Sequence, residues 1–323
     1  MHRISVRIAD ALVLFWLVLT LTFALVHLAP GDPATLLVPP GATGADAARM
    51  HAELGLDAPL PEQYARWIGA VLRGDLGTSI MHGKPVRQVI SEAAPVSLFL
   101  GGVSLSLSFV FGVLLGLWQA LAASRRADRA VSVAATVVYA APSFWLALAL
   151  VTLFTTGAVW LSFPSWLRLP AFGMEDPGAL SSGWMDRWRH AVLPLVVLAV
   201  PGAAGIARYA RQSIREAALA PHVVSAVARG LPRSRVTRTY IVRNALTPLV
   251  VLFGLTLPGV IAGSVFVEQI FAWPGMGRSM LEAVSARDYP LVLGFALIYA
   301  GAVIMSNLLA DVLLLRLDPR RRA

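Results

Sequence analysis

Cysteine is absent from this sequence, which excludes disulfides, thiolate metal ligands and cysteine nucleophiles together. Charge is also scarce, since Asp, Glu, Lys and Arg make up 14% of the 323 residues, against about 25% in an average soluble domain. Apolar side chains, in contrast, account for 57%, and the mean hydropathy is +0.69. This composition argues against a soluble globular enzyme and against a disordered chain, and it predicts a membrane protein.

Lysine is almost missing, because all but one of the 27 basic residues are arginine, and the formal net charge is +9. A nucleic-acid-binding protein would gather its basic residues on a solvated domain. Here the arginines stand between apolar runs, so membrane topology explains them better. We therefore expect a lipid bilayer around this chain and no nucleic-acid partner.

Six apolar stretches suit helices that cross the hydrocarbon core, which takes about 20 residues. None alternates apolar and polar residues as barrel strands do, so the predicted fold class is an all-α membrane protein with six transmembrane helices. The first stretch follows Arg3 and Arg7 as a secretory signal would, but it is longer than a signal's apolar region, and we expect an uncleaved anchor. The fourth is the weakest, because Pro194 and Pro201 interrupt it. The stretches are 8–29, 96–122, 131–160, 191–206, 246–267 and 290–315.

Arginine placement predicts the orientation of these helices. Arginine clusters fall in alternate connecting segments, and basic residues concentrate in cytoplasmic loops, so both termini are expected in the cytoplasm. Three regions follow from this topology. They are a cytoplasmic stub with the first helix (1–29), an extracytoplasmic segment with short helices over 46–54 and 60–72 (30–95), and a five-helix core with a cytoplasmic loop at 208–244 (96–323).

Small residues line one face of the second apolar stretch, at spacings of three or four. Such a face allows close packing against another helix, either inside one bundle or at an interface with a partner subunit. The residues are Ser97, Gly101, Ser104, Ser108, Gly112 and Gly116.

Ionisable residues are nearly missing from the middles of the predicted spans. His27, Glu268 and Asp311 lie toward span ends, where we expect water or lipid headgroups to solvate them. Ion-driven carriers more often place carboxylates or charged pairs at the midplane, because ionisable groups there mark ion pathways. The pattern favours a protein whose energy comes from outside this chain.

The predicted cytoplasmic loop at 208–244 is rich in arginine and contains a single acid, Glu216. Arginines at 208, 211 and 215 recur at helical spacing and extend the fourth span. Pro221 then opens a short helix to Arg229, which Gly230 can end. A short helix at the cytoplasmic surface suits docking of a partner, whereas a solvated loop that merely follows the charge rule would look similar.

At this loop the sequence resembles the permease subunits of ABC importers, in the oligopeptide/dipeptide permease family. Residues 222–231 (HVVSAVARGL) are similar to the loop whose short helix docks into the ATPase of those importers. Further matches occur in order along the chain. They are 27–33 (HLAPGDP), 55–57 (GLD) with 59–60 (PL), 73–77 (RGDLG), 141–145 (APSFW), 243–248 (RNALTP), 271–275 (FAWPG) with 277–278 (GR), 286–290 (ARDYP) and 317–320 (LDPR).

The resemblance implies the membrane architecture of type I ABC importers, in the bacterial cytoplasmic membrane. It also implies that the chain assembles with a second, similar permease, two cytoplasmic ATPase subunits and an extracytoplasmic binding protein, and that it lies in the lipid bilayer. ATP and Mg²⁺ would be bound by the ATPases, so this chain is expected to have no catalytic residue, no cofactor and no metal site. The residues implied in ATPase docking are Pro221, His222, Val223, Val224, Ser225, Ala226, Ala228, Arg229, Gly230 and Leu231.

The sequence departs from the family pattern inside the docking segment. Val224 stands where the broad motif has an acid, and Val227 where relatives often have arginine. Pro221 and His222 replace a frequent acid and aromatic residue. Because of these departures, the resemblance does not define which contacts hold the ATPase, although it still implies that this loop makes them.

The predicted function is ATP-driven import of di- or oligopeptides by alternating access. Nickel, glutathione or another small solute would fit the same architecture, and an ion-driven secondary carrier or a membrane scaffold are the other classes. The sequence assigns no substrate-contact residues, and it does not say whether the second permease is a distinct chain or a copy.

Overall fold

The computed structural model describes residues 2–28, 52, 57–121, 124–176, 183–262 and 265–317. These residues are mainly helical, and 6 helices are long and apolar enough to cross a membrane. The prediction of an all-α chain with six spans is therefore confirmed. The spans are Ala9–Leu28, Val86–Leu121, Ser143–Trp160, Trp184–Ala218, Arg233–Val260 and Tyr289–Ala310.

Eleven helices are labelled here in chain order. Five short pieces lie between them: π-helices at Leu153–Gly157 and Val236–Val242, helical turns at Ala158–Trp160 and Arg233–Arg235, and a 3-10 helix at Ser165–Leu167. The labelled helices are α1 His2–Leu28, α2 Leu60–Leu72, α3 Val86–Leu121, α4 Arg125–Ala140, α5 Ser143–Thr152, α6 Trp184–Ala218, α7 Pro221–Ala228, α8 Arg243–Ala262, α9 Val265–Ile270, α10 Met276–Ser285 and α11 Tyr289–Leu317.

The chain divides into two compact units, the first comprising Met1–Val96 with Pro274–Met305 and the second Ser97–Trp273 with Ser306–Ala323. In the first unit, the start of α3 packs against α10 and α11 through Val86, Ile90, Met276, Leu291 and Phe295, all buried. Packing these side chains together removes apolar surface from water where water is present, and it provides van der Waals contact between helices where lipid surrounds them.

The predicted short helix over 60–72 is present as α2, and it contacts α1. Thr20 Oγ1 lies 2.6 Å from Tyr64 Oη, and Phe23 stacks on Trp67 with ring centroids 5.5 Å apart. The other predicted helix, over 46–54, lies outside the described residues except for residue 52. The division of the chain by membrane side stays a prediction.

The second unit is built around α6, which contacts α4, α5, α8 and α9. Pro194 and Pro201 lie inside α6 without ending it, so the helix covers more than the predicted 191–206. Packing against neighbouring helices can hold a proline-containing helix in a membrane.

The small-residue face of α3 packs within this unit. A Cβ atom on Gly112 would lie 2.7 Å from Ile206 Cβ, and one on Gly116 would lie 2.7 Å from Ala210 Cβ. Ser108 Oγ donates to the Ala199 carbonyl at 3.1 Å. This part of the face therefore serves close contact between α3 and α6, the first of the two alternatives.

The third predicted span, 131–160, is wrong as a single helix. The structure divides it at Ala141 and Pro142, where Ala141 has φ −69° and ψ 130°. Proline disfavours helical geometry in the residue before it and has no N–H for the helix ladder. The result is α4, followed by a separate span over Ser143–Trp160.

Candidate functional site

Helix α7 is the short helix that the sequence predicts between the fourth and fifth spans. Pro221 occupies the first helical position, where the missing N–H costs nothing. Gly230 has φ +72°, and two hydrogen bonds close the end: Gly230 N donates to Val227 O at 2.9 Å and Leu231 N to Ala226 O at 3.3 Å. This is the Schellman arrangement. The predicted stop at Gly230 is confirmed, and α7 ends at Ala228, one residue before the predicted end.

One face of α7 is buried. Val223 and Ala226 are 4% and 0% exposed and pack in a cluster with Ile214 of α6, Ala245 of α8 and residues between these helices. Ser213 Oγ of α6 also donates to the Ala245 carbonyl at 3.0 Å. The inner face of α7 is thus seated where α6 ends and α8 begins.

A polar contact holds the start of α7. His222 Nε2 lies 3.0 Å from Asn244 Nδ2, and the same Asn244 nitrogen donates to the Tyr240 carbonyl at 2.7 Å. His222, a departure from the family pattern, therefore has a local partner in this chain.

The opposite face of α7 is open. Val224 and Val227 are each 60% exposed, and both stand at positions where the sequence departs from the family pattern. Two neighbouring valines on the surface form an apolar patch that contact with a partner would bury. Most of the other residues that the sequence predicts for ATPase docking are also exposed. They are Pro221, His222, Ser225, Ala228, Arg229 and Gly230, whereas Leu231 is half-buried.

Asp128 ties the start of α4 to the arginine-rich end of α6. Arg211 donates from Nε to Oδ1 at 2.8 Å and from Nη2 to Oδ2 at 2.7 Å, and Arg215 Nη2 donates to Oδ2 at 2.9 Å. The paired hydrogen bonds from Arg211 are the main reason why the pKa of Asp128 lies below its ordinary value. The sequence reasoning missed this acid, although two arginines at helical spacing were the available signal.

A cavity of about 960 Å³ lies between α3, α4, α6 and α8. Hydroxyl groups dominate its polar lining, and Arg208 of α6 adds a cation whose Cζ lies 5.5 Å from the ring centre of Tyr139. Among the lining residues that the structure describes there is no carboxylate and no imidazole. The polar lining residues are Ser104, Ser108, Ser132, Thr136, Tyr139, Arg208, Tyr209, Arg211, Gln212 and Thr256.

The sequence reasoning assigned no residues to this cavity. Its lining comes from four helices and extends along the chain from Gly101 to Val260. In the sequence, Ser104 and Ser108 stand out only as part of the small-residue face of α3. Such a lining can offer hydrogen bonds to a polar solute, and Arg208 can offer a positive charge to an anionic group, whereas Arg211 is paired with Asp128.

Glu268 corrects another expectation. The sequence predicts that it lies at a solvated span end, but it is 1% exposed, and Ser97 Oγ donates to its Oε1 at 2.7 Å. A buried carboxyl group needs such partners, because it has lost the hydrogen bonds of water. His27 and Asp311 are the other two residues that the sequence predicts at solvated span ends. His27 is partly buried and stacks on Phe23 with ring centroids 3.9 Å apart. The side chain of Asp311 lies outside the described part of the chain.

Two family descriptions match this chain. "Binding-protein-dependent transport system inner membrane component" matches residues 112–323, and "Binding-prot-dependent transport system membrane comp, N-term" matches residues 1–100. Together they cover the chain except residues 101–111.

Curated relatives are similar over nearly the whole chain. The oligopeptide transport system permease protein AppB of Bacillus subtilis is 34% identical, covering 93% of this chain and 92% of the relative. The di/tripeptide transport system permease protein DppB of Pseudomonas aeruginosa is 35% identical, covering 95% of each.

A solved structure is similar in fold. It is described as the crystal structure of an amino acid ABC transporter with histidines, with a TM-score of 0.54 and 15% identity. The similarity covers 71% of this chain and 94% of the other. At that identity the match concerns the fold alone.

Proposed function

This chain belongs to the binding-protein-dependent transport permeases, in the oligopeptide/dipeptide permease family, and from that membership we propose that it imports di- and oligopeptides in a process driven by ATP. It is the permease component of an ABC importer and not its ATPase, and it is a multi-pass protein of the inner membrane. A component of this type works with an ATPase and a binding protein.

The observation that carries the coupling part of the proposal is the two-faced helix α7. Its inner face is packed, Pro221 stands at its first turn and a Schellman motif closes its end, so it can transmit force without unfolding. Its outer face offers Val224 and Val227 to a partner. We assign that partner to a cytoplasmic ATPase subunit, with the valines replacing the charged contacts frequent in the family.

Movement of α7 would reach the cavity through the helices that hold it. Ile214 and Ala245 contact α7, and they belong to α6 and α8. The same two helices supply Arg208 and Thr256 to the cavity wall. Closure of the ATPases against α7 would therefore shift α6 and α8 together and open the cavity to one side or the other.

A peptide suits the cavity better than a bare divalent cation does. The volume of about 960 Å³ lies in the range of about 300–1,000 Å³ that ligand sites occupy. Serine and threonine hydroxyls can bond peptide N–H and C=O groups, and Arg208 can face the terminal carboxylate. A free metal ion would instead require carboxylate or imidazole ligands.

The proposed assembly contains this chain, a second homologous permease, two ATPase subunits and an extracytoplasmic binding protein. Affinity purification from native membranes, followed by mass spectrometry, is expected to recover all of these except a loosely bound binding protein. Recovery of this chain alone, in a detergent that keeps a known importer intact, would contradict the assembly.

The substrate is tested with the purified complex in proteoliposomes that contain ATP. Uptake of labelled di- to pentapeptides in the presence of the binding protein is expected, with excess unlabelled peptide as competitor. Uptake of nickel or glutathione with no peptide uptake would overturn the peptide assignment while leaving the importer assignment intact.

A further inference from the structure

Three potential metal ligands meet where the chain enters α6. Asp176 ends a turn before the helix, and Asp186 and His190 lie one turn apart on the helix itself. One ligand atom from each of the three side chains lies within 4.8 Å of the other two. The cavity described above does not include these residues.

His190 is oriented as a metal-binding histidine is. Its side chain is 1% exposed, and Nδ1 lies 3.0 Å from the carbonyl oxygen of Asp186, so an Nδ1–H can donate there. In a neutral imidazole this hydrogen bond places the proton on Nδ1 and leaves the lone pair on Nε2, an arrangement that recurs in metal-ligating histidines.

Each ring nitrogen of His190 lies near a carboxylate, with Nδ1 3.4 Å from Asp186 Oδ1 and Nε2 on the side of Asp176. The partner nearest to His190 Nε2 among the described residues is Asp176 Oδ1 at 3.6 Å, too long for a hydrogen bond. Two ligands that share a tetrahedral ion, each bonded at 2.0–2.1 Å, stand about 3.4 Å apart. The observed separation is therefore close to that of a ligand pair around an ion.

The turn that carries Asp176 is held in place without an ion. Asp176 N donates to Asp186 Oδ2 at 3.0 Å, and Glu175 forms an ion pair with Arg187 of α6. Gly173 N donates to the Phe271 carbonyl at 2.9 Å. These contacts set the two aspartates and the histidine in register before any ligand arrives, which lowers the cost of binding.

Charge also favours a cation. The two aspartate carboxylates carry two negative charges, and within the described part of the chain neither aspartate forms an ion pair with Arg or Lys. Arg187, the adjacent cation, is engaged by Glu175. Asp176 is 66% exposed and Asp186 21%, so an ion can enter from solvent.

We propose that Asp176, Asp186 and His190 bind a divalent first-row transition metal, with Zn²⁺ as the representative ion. One imidazole and two carboxylates are ligands that Zn²⁺ accepts, and three protein ligands leave a position for water. By the predicted orientation the site is extracytoplasmic. It would fasten the turn at 172–176 to the first turns of α6, and it revises the expectation of no metal site.

The test is metal binding by the purified full-length chain in nanodiscs, prepared with a tag that contains no histidine. After treatment with a chelator, titration calorimetry with Zn²⁺ is expected to give one saturable site per chain. Co²⁺ is expected to give visible d–d absorption that Zn²⁺ abolishes. Mg²⁺ at the same concentration should produce no heat of binding.

Two variants locate the site, and a third variant serves as the control. Asp176→Asn and His190→Gln are each expected to weaken Zn²⁺ binding at least about 100-fold, because each removes a ligand. His82→Gln, at an exposed histidine elsewhere, should bind as the natural chain does. Asp176→Asn changes only an exposed side chain, so it keeps the test informative if His190→Gln fails to fold.

Absence of saturable Zn²⁺ binding by the folded natural chain would overturn the proposal. So would binding that both variants retain in full. These results are independent of peptide uptake, so the transport proposal can stand or fall separately.

Discussion

Asp128 and Arg211 face each other in a two-point contact, with Nε bonded to Oδ1 at 2.8 Å and Nη2 to Oδ2 at 2.7 Å. The pair joins the start of α4 to α6 next to the cavity, whose lining includes Arg211. Planar bidentate pairs combine charge with defined direction. Replacing Asp128 therefore tests whether the position of α4 depends on this contact.

Asp128→Asn is expected to destabilise the chain by about 1–3 kcal/mol, because it leaves two arginines without their carboxylate. Thermal unfolding in detergent measures the change as a lower midpoint. Glu62→Gln is the matched control, since Glu62 makes an exposed contact with Arg66 at 3.7 Å, and exposed pairs contribute little. Equal midpoints for Asp128→Asn and the natural chain would refute the role of this contact.

The effect of Asp128→Asn should depend on pH in a defined direction. Arg211 holds the pKa of Asp128 below its ordinary value, so the carboxylate contributes stability above the unfolded pKa of about 3.9. That contribution is lost as pH falls through the lower pKa of the folded chain.

The midpoint difference between the natural chain and the Asp128→Asn variant is therefore expected to be constant from about pH 6 to pH 8 and to shrink below about pH 4. Thermal unfolding across this range measures it. A difference that changes between pH 6 and pH 8 would point to another titrating group.

Gly230→Val is expected to uncouple transport while membrane insertion persists. Gly230 has φ +72°, and nothing lies within 4 Å of a Cβ placed there, so the cost comes from backbone conformation, about 1–2 kcal/mol. Loss of the αL stop would displace the end of α7. We expect at least about tenfold lower peptide uptake and substrate-stimulated ATP hydrolysis.

Gly230→Asn is the control for this variant, because asparagine tolerates the left-handed region. It should retain most of the uptake. If Gly230→Val transports and stimulates hydrolysis normally, the stop at Gly230 has no part in coupling.

Val227→Asp is expected to weaken association with the ATPase, because it places a charge in an apolar contact. The side chain is 60% exposed, so thermal stability of the isolated chain should change by less than about 0.5 kcal/mol. Leu72→Asp on α2, 82% exposed in the other unit, is the control. Co-purification of the ATPase with each variant provides the measurement, and undiminished recovery with Val227→Asp would remove α7 as the docking surface.

Arg208→Ala is expected to lower peptide uptake about 10- to 100-fold at limiting concentrations, as loss of one charge-assisted hydrogen bond of about 1.5–3 kcal/mol would do. ATPase co-purification should stay unchanged. Arg235→Ala, at an exposed arginine outside the cavity lining, is the matched control. Equal losses in both variants would show a general effect of charge instead of a substrate contact.

Local patterns were sufficient for much of the fold. Apolar length predicts the spans, since a helix in lipid bonds only within itself. The proline at 221 and the glycine at 230 mark the two ends of α7, because both act through their own backbone. The order of short motifs along the chain was enough to indicate the family.

Where two local signals compete, the sequence was less reliable. The apolar run across Pro142 suggests one helix, but the proline divides it at Ala141. Pro194 and Pro201 suggest a weak span, but α6 continues through both. A proline ends a helix only where the surrounding packing does not hold the helix together.

The sequence by itself determined the membrane class, the number of spans and the short helix in the cytoplasmic loop, because hydropathy and backbone preference act between near neighbours. Tertiary structure decided which side chains meet. Ser97 and Glu268 are 171 residues apart in the chain, and Asp128 and Arg211 are 83 apart. Such contacts, like the cavity between four helices and the cluster around His190, depend on how the helices pack, which no local pattern encodes.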